Sequence, residues 1–162
     1  MNNSPIGVYD SGFGGLSVWR EIHRRLPEES LLYLGDGKNC PYGGRSREEI
    51  TAFAREAVER LIGEGVKMVV VGCNTATTAA VDTLRAEWPD IPIVGLEPAV
   101  KPACLSSRTR RIAVLATAHS LQSDMFLNTA RRYAADVEVI KVEGRGFVEL
   151  VEASEEDSPK AE

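Results

Sequence analysis

The 162 residues predict an α/β protein built on a doubly wound parallel sheet. Two patterns carry that prediction: six short apolar runs, and helical periodicity filling the gaps between them. The first run, Pro5–Tyr9, reads as a strand. Leu16, Trp19, Ile22 and Leu26 then form the apolar stripe of a helix. Leu31–Gly35 is the second strand. A longer helix follows, with Ile50, Phe53, Ala54, Ala57, Val58, Leu61 and Ile62 recurring at three- and four-residue spacing. It opens at Ser46 with Glu49 three residues on, a pair able to satisfy each other's exposed backbone donors. Val66–Val71 is continuously apolar, as a strand covered on both faces should be. Thr77, Ala80, Val81, Leu84 and Trp88 mark a third helix, and Ile91–Gly95 a fourth strand. Pro98, Pro102 and Ser106-Ser107 interrupt the pattern over residues 97–110. Arg111–Thr117, a helix marked by Leu121, Met125 and Tyr133, and Asp136–Val142 complete the series. Right-handed βαβ crossovers follow from this alternation. A first domain is expected over residues 1–97 and a second over 98–162.

Charge and cysteine usage narrow the function classes. The net charge is −5. It resides at the acidic C-terminal end, where Glu143, Glu149, Glu152, Glu155, Glu156, Asp157 and Glu162 face only Arg145 and Lys160. The remaining chain is balanced, so no basic face for nucleic acid is expected. Cys40, Cys73 and Cys104 share no short metal-ligand spacing, and the only histidines are His23 and His119, which argues against a zinc site. No apolar run is long enough to span a bilayer. The start, MNNSPIGVYD, has no secretory pattern. A cytoplasmic protein with reduced thiols is the expectation.

In parallel sheets, ligands bind beyond the carboxyl ends of strands. Three successive exits carry the relevant residues: Asp10-Ser11-Gly12-Phe13-Gly14-Gly15, then Gly35-Asp36 with Pro41-Tyr42-Gly43-Gly44, then Gly72-Cys73-Asn74-Thr75. Cys73 stands between a buried strand and a helix. A structural buried cysteine and an acid/base thiol are both open there, and the strand-exit position favours the second. The helix N-terminus should favour thiolate and lower the thiol pKa from about 8.5. Cys40 and Cys104 read as structural. Asp10 and Ser11 can cap the following helix. They can equally pair a substrate ammonium (Asp10) and donate a hydrogen bond (Ser11). Gly12-Phe13-Gly14 begins a dinucleotide fingerprint, with Asp36 near the ribose position, but Ser17 replaces the third glycine. A phosphatase reading of Cys73 lacks the arginine it needs.

Taken in order, Asp10-Ser11-Gly12-Phe13-Gly14-Gly15, Tyr33-Leu34-Gly35-Asp36, Pro41-Tyr42-Gly43, Cys73-Asn74-Thr75-Ala76 and Glu97-Pro98-Ala99-Val100-Lys101-Pro102 resemble the glutamate racemase family, within the cysteine-dependent amino-acid racemases. Val114-Leu115-Ala116-Thr117 and Gly146-Phe147-Val148-Glu149-Leu150-Val151-Glu152 are also similar. The resemblance covers about Ile6 to Glu152. It implies the family's N-terminal portion only, with a first racemase-type domain largely present and a second one incomplete. It makes Cys73 one of two acid/base thiols. Asp10, Ser11, Tyr42, Gly43, Asn74 and Thr75 become substrate contacts, with Thr117 and Ser120 as weaker candidates near the substrate carboxylates. The family's second thiol stands in a Gly-Cys-Thr-His motif that these residues do not contain. The expectation is therefore a fragment or truncated product without that thiol, its own activity in question. A one-cysteine decarboxylase-like enzyme and a non-catalytic binding fragment are the alternatives. The implied reaction interconverts L- and D-glutamate without a cofactor or metal, for peptidoglycan synthesis in a bacterial cytoplasm. Neither nucleic acid nor membrane is implied as a partner. The resemblance also admits a homodimer.

Overall fold

The computed structural model describes residues 3–155 and 157–161. Contacts divide the chain into two compact units, one ending at Leu96 and the other beginning at Glu97. The first unit runs β1 (Ile6–Asp10), α1 (Leu16–Arg25), β2 (Leu31–Gly35), α2 (Arg47–Gly63), β3 (Met68–Val71), α3 (Asn74–Glu87) and β4 (Ile93–Gly95). Its strands form a parallel sheet in the order β2-β1-β3-β4, with Tyr9 opposite Leu34 on one side and Val71 on the other. Central β1 is buried along its whole length. Val18, Trp19 and Ile22 of α1 pack on the face formed by Ile6, Val8 and Val70. Leu16 and Leu26, at the ends of the expected stripe, are exposed. Leu61 of α2 meets the opposite face at Gly7.

Local chemistry explains the helices that flank the sheet. Ser46 and Glu49 form the expected reciprocal capping box at the start of α2. Ile50, Ala54, Ala57, Val58 and Leu61 are its buried face. In α3, Thr77, Ala80, Val81 and Leu84 are buried, and Arg55 of α2 bridges to Glu87 at its end.

The second unit comprises α4 (Val100–Ser106), β5 (Arg111–Ala116), α5 (Ala118–Gln122), α6 (Asp124–Tyr133), β6 (Glu138–Glu143), α7 (Phe147–Glu152) and a 3-10 turn at Pro159–Ala161. Among the described residues, β5 pairs with β6 alone, in parallel. This corrects two expectations. The strands do not extend one doubly wound sheet, because they form two separate parallel sheets. The second unit, expected to be unfinished, holds a core of its own, built from Val100, Cys104, Leu121, Phe126 and Val137. The physical reason lies in β5, whose burial alternates residue by residue, so that Ile112 and Val114 serve that core alone. An apolar run such as Arg111–Ala116 does not reveal whether one face or both are covered. The single helix expected after it is also divided, at Ser123, whose side chain accepts from the Phe126 N–H to start α6. Within the acidic end, Glu156 and Glu162 lie outside the described residues.

Candidate active site

The site is built where the two central strands of the first sheet end. β1 and β3 are neighbours in register, and the Gly72 N–H donates to the Tyr9 carbonyl at 2.7 Å. The residues just beyond, Asp10-Ser11 and Cys73, are therefore brought side by side. Ser11 Oγ lies 3.3 Å from Cys73 Sγ. Cys73 is extended, caps α3, and accepts from the Ala76 N–H at 3.4 Å. Asp10 is buried, and its Oδ2 accepts from the Gly12 N–H at 3.1 Å. The turn that follows requires glycine at position 15, where a Cβ would stand 2.6 Å from Asp10 Cβ. Tyr33 braces the same turn by donating to the Gly12 carbonyl at 2.7 Å.

Cys73 does not behave as its position at a helix end predicts. Burial pushes its thiol above the ordinary range, and the Asp10 carboxylate pushes it further; hydrogen bonds from Ser11 and the Ala76 N–H oppose both, more weakly. The expected lowering is thus reversed, because removing a thiolate from water outweighs a few oriented donors. The resting side chain is a neutral thiol.

A second cluster adjoins it. Tyr42 is buried and tilts against Phe53 of α2. Its hydroxyl donates to Asp36 Oδ2 at 2.6 Å and lies 2.7 Å from the Tyr9 hydroxyl. Asn39 Nδ2 donates to both oxygens of Asp36, at 3.1 and 2.9 Å. Burial, above all, holds both phenols protonated well above their usual range, and Cys73, Asp36 and Asp10 add to the effect at Tyr9. A cavity of about 240 Å³ at the exit of β2 is lined by Asp36, Asn39, Phe53 and Arg60 among others; Cys73 is not one of them.

Of the residues singled out in the sequence, Asp10, Ser11 and Cys73 come together. Thr75 is buried in the first turn of α3, and Asn74 beside it is exposed. Tyr42 and half-buried Gly43 lie on the loop after β2, with the Arg45 N–H donating to the Tyr42 carbonyl. Thr117 and Ser120 belong to the second unit. There Thr117 caps α5, accepting from the Ser120 N–H and donating to Ser120 Oγ at 3.1 Å. Tyr9 and Tyr33 were not anticipated as site residues. The available signal was a tyrosine inside a buried strand, which needs a partner for its hydroxyl. Among the described residues, no three His, Cys, Asp or Glu side chains cluster as metal ligands, and no helix is long and apolar enough to cross a membrane.

The family model described as Asp/Glu/Hydantoin racemase matches residues 6–162. A glutamate racemase of Stutzerimonas stutzeri (strain A1501) is 49% identical over 155 residues, which cover 96% of this chain and 59% of that protein. Among solved structures, a glutamate racemase isoform of Bacillus anthracis superposes with a TM-score of 0.85 at 37% identity, covering 99% of this chain and 60% of its own. The Escherichia coli glutamate racemase, in complex with L-glutamate and the activator UDP-MurNAc-ala, gives 0.86 at 32% identity, covering 93% and 57%. This chain thus spans about 60% of the length of the relatives it matches.

These matches correct the remaining expectations. The likeness extends over nearly the whole of this chain, since the family model runs on through the second unit to residue 162. As to thiols, the chain carries free Cys40 and Cys104 besides Cys73, none of them in a disulfide. Glutamate racemases match nearly the whole chain, which favours the racemase expectation over the decarboxylase and non-catalytic alternatives.

Proposed function

Because the chain belongs to the Asp/Glu/Hydantoin racemase family, we propose that it is an amino-acid racemase acting on glutamate, with Cys73 moving the α-proton. The observation that carries this reading is the Ser11–Cys73 contact beside buried Asp10. The L-glutamate held by the Escherichia coli relative supports the choice of substrate.

The chemistry follows from the charges. The substrate ammonium pairs with Asp10 and neutralises the carboxylate that helps to hold the Cys73 thiol protonated. The thiol then releases its proton to solvent more readily in the occupied site, leaving a thiolate stabilised by Ser11 and the Ala76 N–H. It takes the α-proton, and the electron pair of the C–H bond passes into the α-carboxylate. Donors from Asn74 and Thr75 are assigned to the charge growing there, and the backbone of Tyr42 and Gly43 to holding the bound substrate. In that reading Tyr42 contributes its backbone, since its hydroxyl is engaged with Asp36. Delivery of a proton to the opposite face by a second group completes inversion. In the reverse direction the Cys73 thiol is the donor. The reading writes the reaction without a cofactor or metal, as a source of D-glutamate for peptidoglycan, in a cytoplasm that keeps the thiols reduced. It admits a homodimer.

The test is incorporation of deuterium at the α-carbon of L-glutamate in heavy water, followed by NMR, together with polarimetry. Cys73→Ala should abolish incorporation, and Cys73→Ser should slow it by about 100- to 10,000-fold. Undiminished exchange in Cys73→Ala rejects the site.

A further inference from the structure

Asp36 joins two parts of the candidate site that are distant in sequence. Its N–H donates to the Asp10 carbonyl at 2.9 Å, which ties the exit of β2 to that of β1. Its carboxylate accepts from Tyr42, on the loop that also carries Gly43. The Tyr42 hydroxyl gives its one proton to Asp36, so in its bond with Tyr9 it is the acceptor. The result is a directed chain, Tyr9 to Tyr42 to Asp36, from the centre of β1 to the loop. Its two phenols are buried among Phe53 and the strand residues, where a lost partner is not replaced by water. Asn39 closes the other side of the carboxylate, and the Asn39 and Cys40 N–H groups both turn back to the Asp36 carbonyl.

We propose that Asp36 is a positioning residue: through Tyr42 and Tyr9 it pins the loop over residues 37–44 against β1, and so sets glutamate affinity rather than the rate of proton transfer. The affinity part rests on the racemase reading above. The ordering part does not. The hydrogen bonds of Asp36 go to Asp10, Asn39, Cys40 and Tyr42 rather than to Cys73 or Ser11, so removing it should leave the reacting group intact.

The test uses the full chain and three readouts: amide hydrogen exchange of Asn39, Cys40 and Arg45 without ligand, glutamate affinity by calorimetry, and α-deuterium incorporation at saturating glutamate. Asp36→Ala should speed exchange of these amides and weaken affinity by about tenfold, with the saturating rate held within about twofold. Asp36→Asn keeps the shape but turns an amide donor toward Tyr42 or Asn39, and should show the same split if the alanine variant does not fold. Tyr42→Phe added to Asp36→Ala should cost less than it does alone, since both break one chain. Unchanged loop protection overturns the proposal. So does a lowered saturating rate at unchanged affinity. A wild type that neither binds nor exchanges glutamate overturns the racemase reading and the affinity part with it, while the ligand-free amides still decide the ordering role. Cys73→Ala serves as the contrast, stopping incorporation with loop protection intact.

Discussion

Cys73 lies under opposed influences whose signs can each be tested. Burial and the Asp10 carboxylate raise its pKa; Ser11 and the Ala76 N–H lower it. Asp10→Asn removes a negative charge beside the sulfur, so the thiolate should form at lower pH. Ser11→Ala removes a donor to the thiolate, so the midpoint should move the other way. Alkylation of Cys73 by iodoacetamide across a pH series, with the labelled peptide quantified by mass spectrometry, reads both shifts. An upward shift in Asp10→Asn would contradict the electrostatic account of the site. Asp10, Ser11 and Cys73 were legible in the sequence because each stands at or just past the end of a strand. Tyr9 was not, because a strand pattern records that a residue is buried and leaves open what its hydroxyl meets.

At the level of elements, the site depends on how closely α3 seats on the sheet. Gly95, at the end of β4, faces α3 so tightly that a Cβ there would lie 2.6 Å from Thr77 Cγ2 and 3.0 Å from Val81 Cγ2. Thr77 in turn donates to the Val71 carbonyl at the end of β3, one turn from Cys73. Gly95→Ala should therefore cost about 1–3 kcal/mol in urea denaturation and loosen the helix that carries the thiol. Gly44, with open space around the same added atom, is the control: Gly44→Ala should stay within about 0.5 kcal/mol. A Gly95→Ala variant as stable as the parent would show that α3 can shift without cost. The helices were readable because capping and three- and four-residue spacing are local. The division of one expected helix into α5 and α6 depended on Ser123, a cap inside an otherwise continuous pattern.

Across the whole molecule, the unit ending at Leu96 carries an alkaline liability. Cys73, Tyr9 and Tyr42 are acids whose folded pKa values lie above those of the unfolded chain. For such groups the folded state retains the proton, so their stabilisation is full below the unfolded value and fades as pH rises beyond it. Decline should begin near pH 8.5, where an unfolded cysteine ionises, and steepen near pH 10, where unfolded tyrosines follow. Each group then removes about 1.4 kcal/mol per pH unit until its folded value is reached. Urea unfolding between pH 7 and 11 measures this, and Tyr9→Phe should flatten the upper part of the curve. A profile equally steep in Tyr9→Phe would assign the loss to other groups.

The sequence by itself determined the strands, the first three helices, the order of the strand exits and the residues standing at them, because periodicity, capping and turn chemistry act over a few neighbours. It determined the family as well, through motifs held in register. Only the tertiary structure decided that β5 and β6 form a sheet apart from the first four strands, that Cys73 rests as a neutral thiol, and that Asp36, Tyr42 and Tyr9 form one chain. Pairing, desolvation and buried hydrogen bonds depend on which distant residues come to lie together, and no local spacing encodes that.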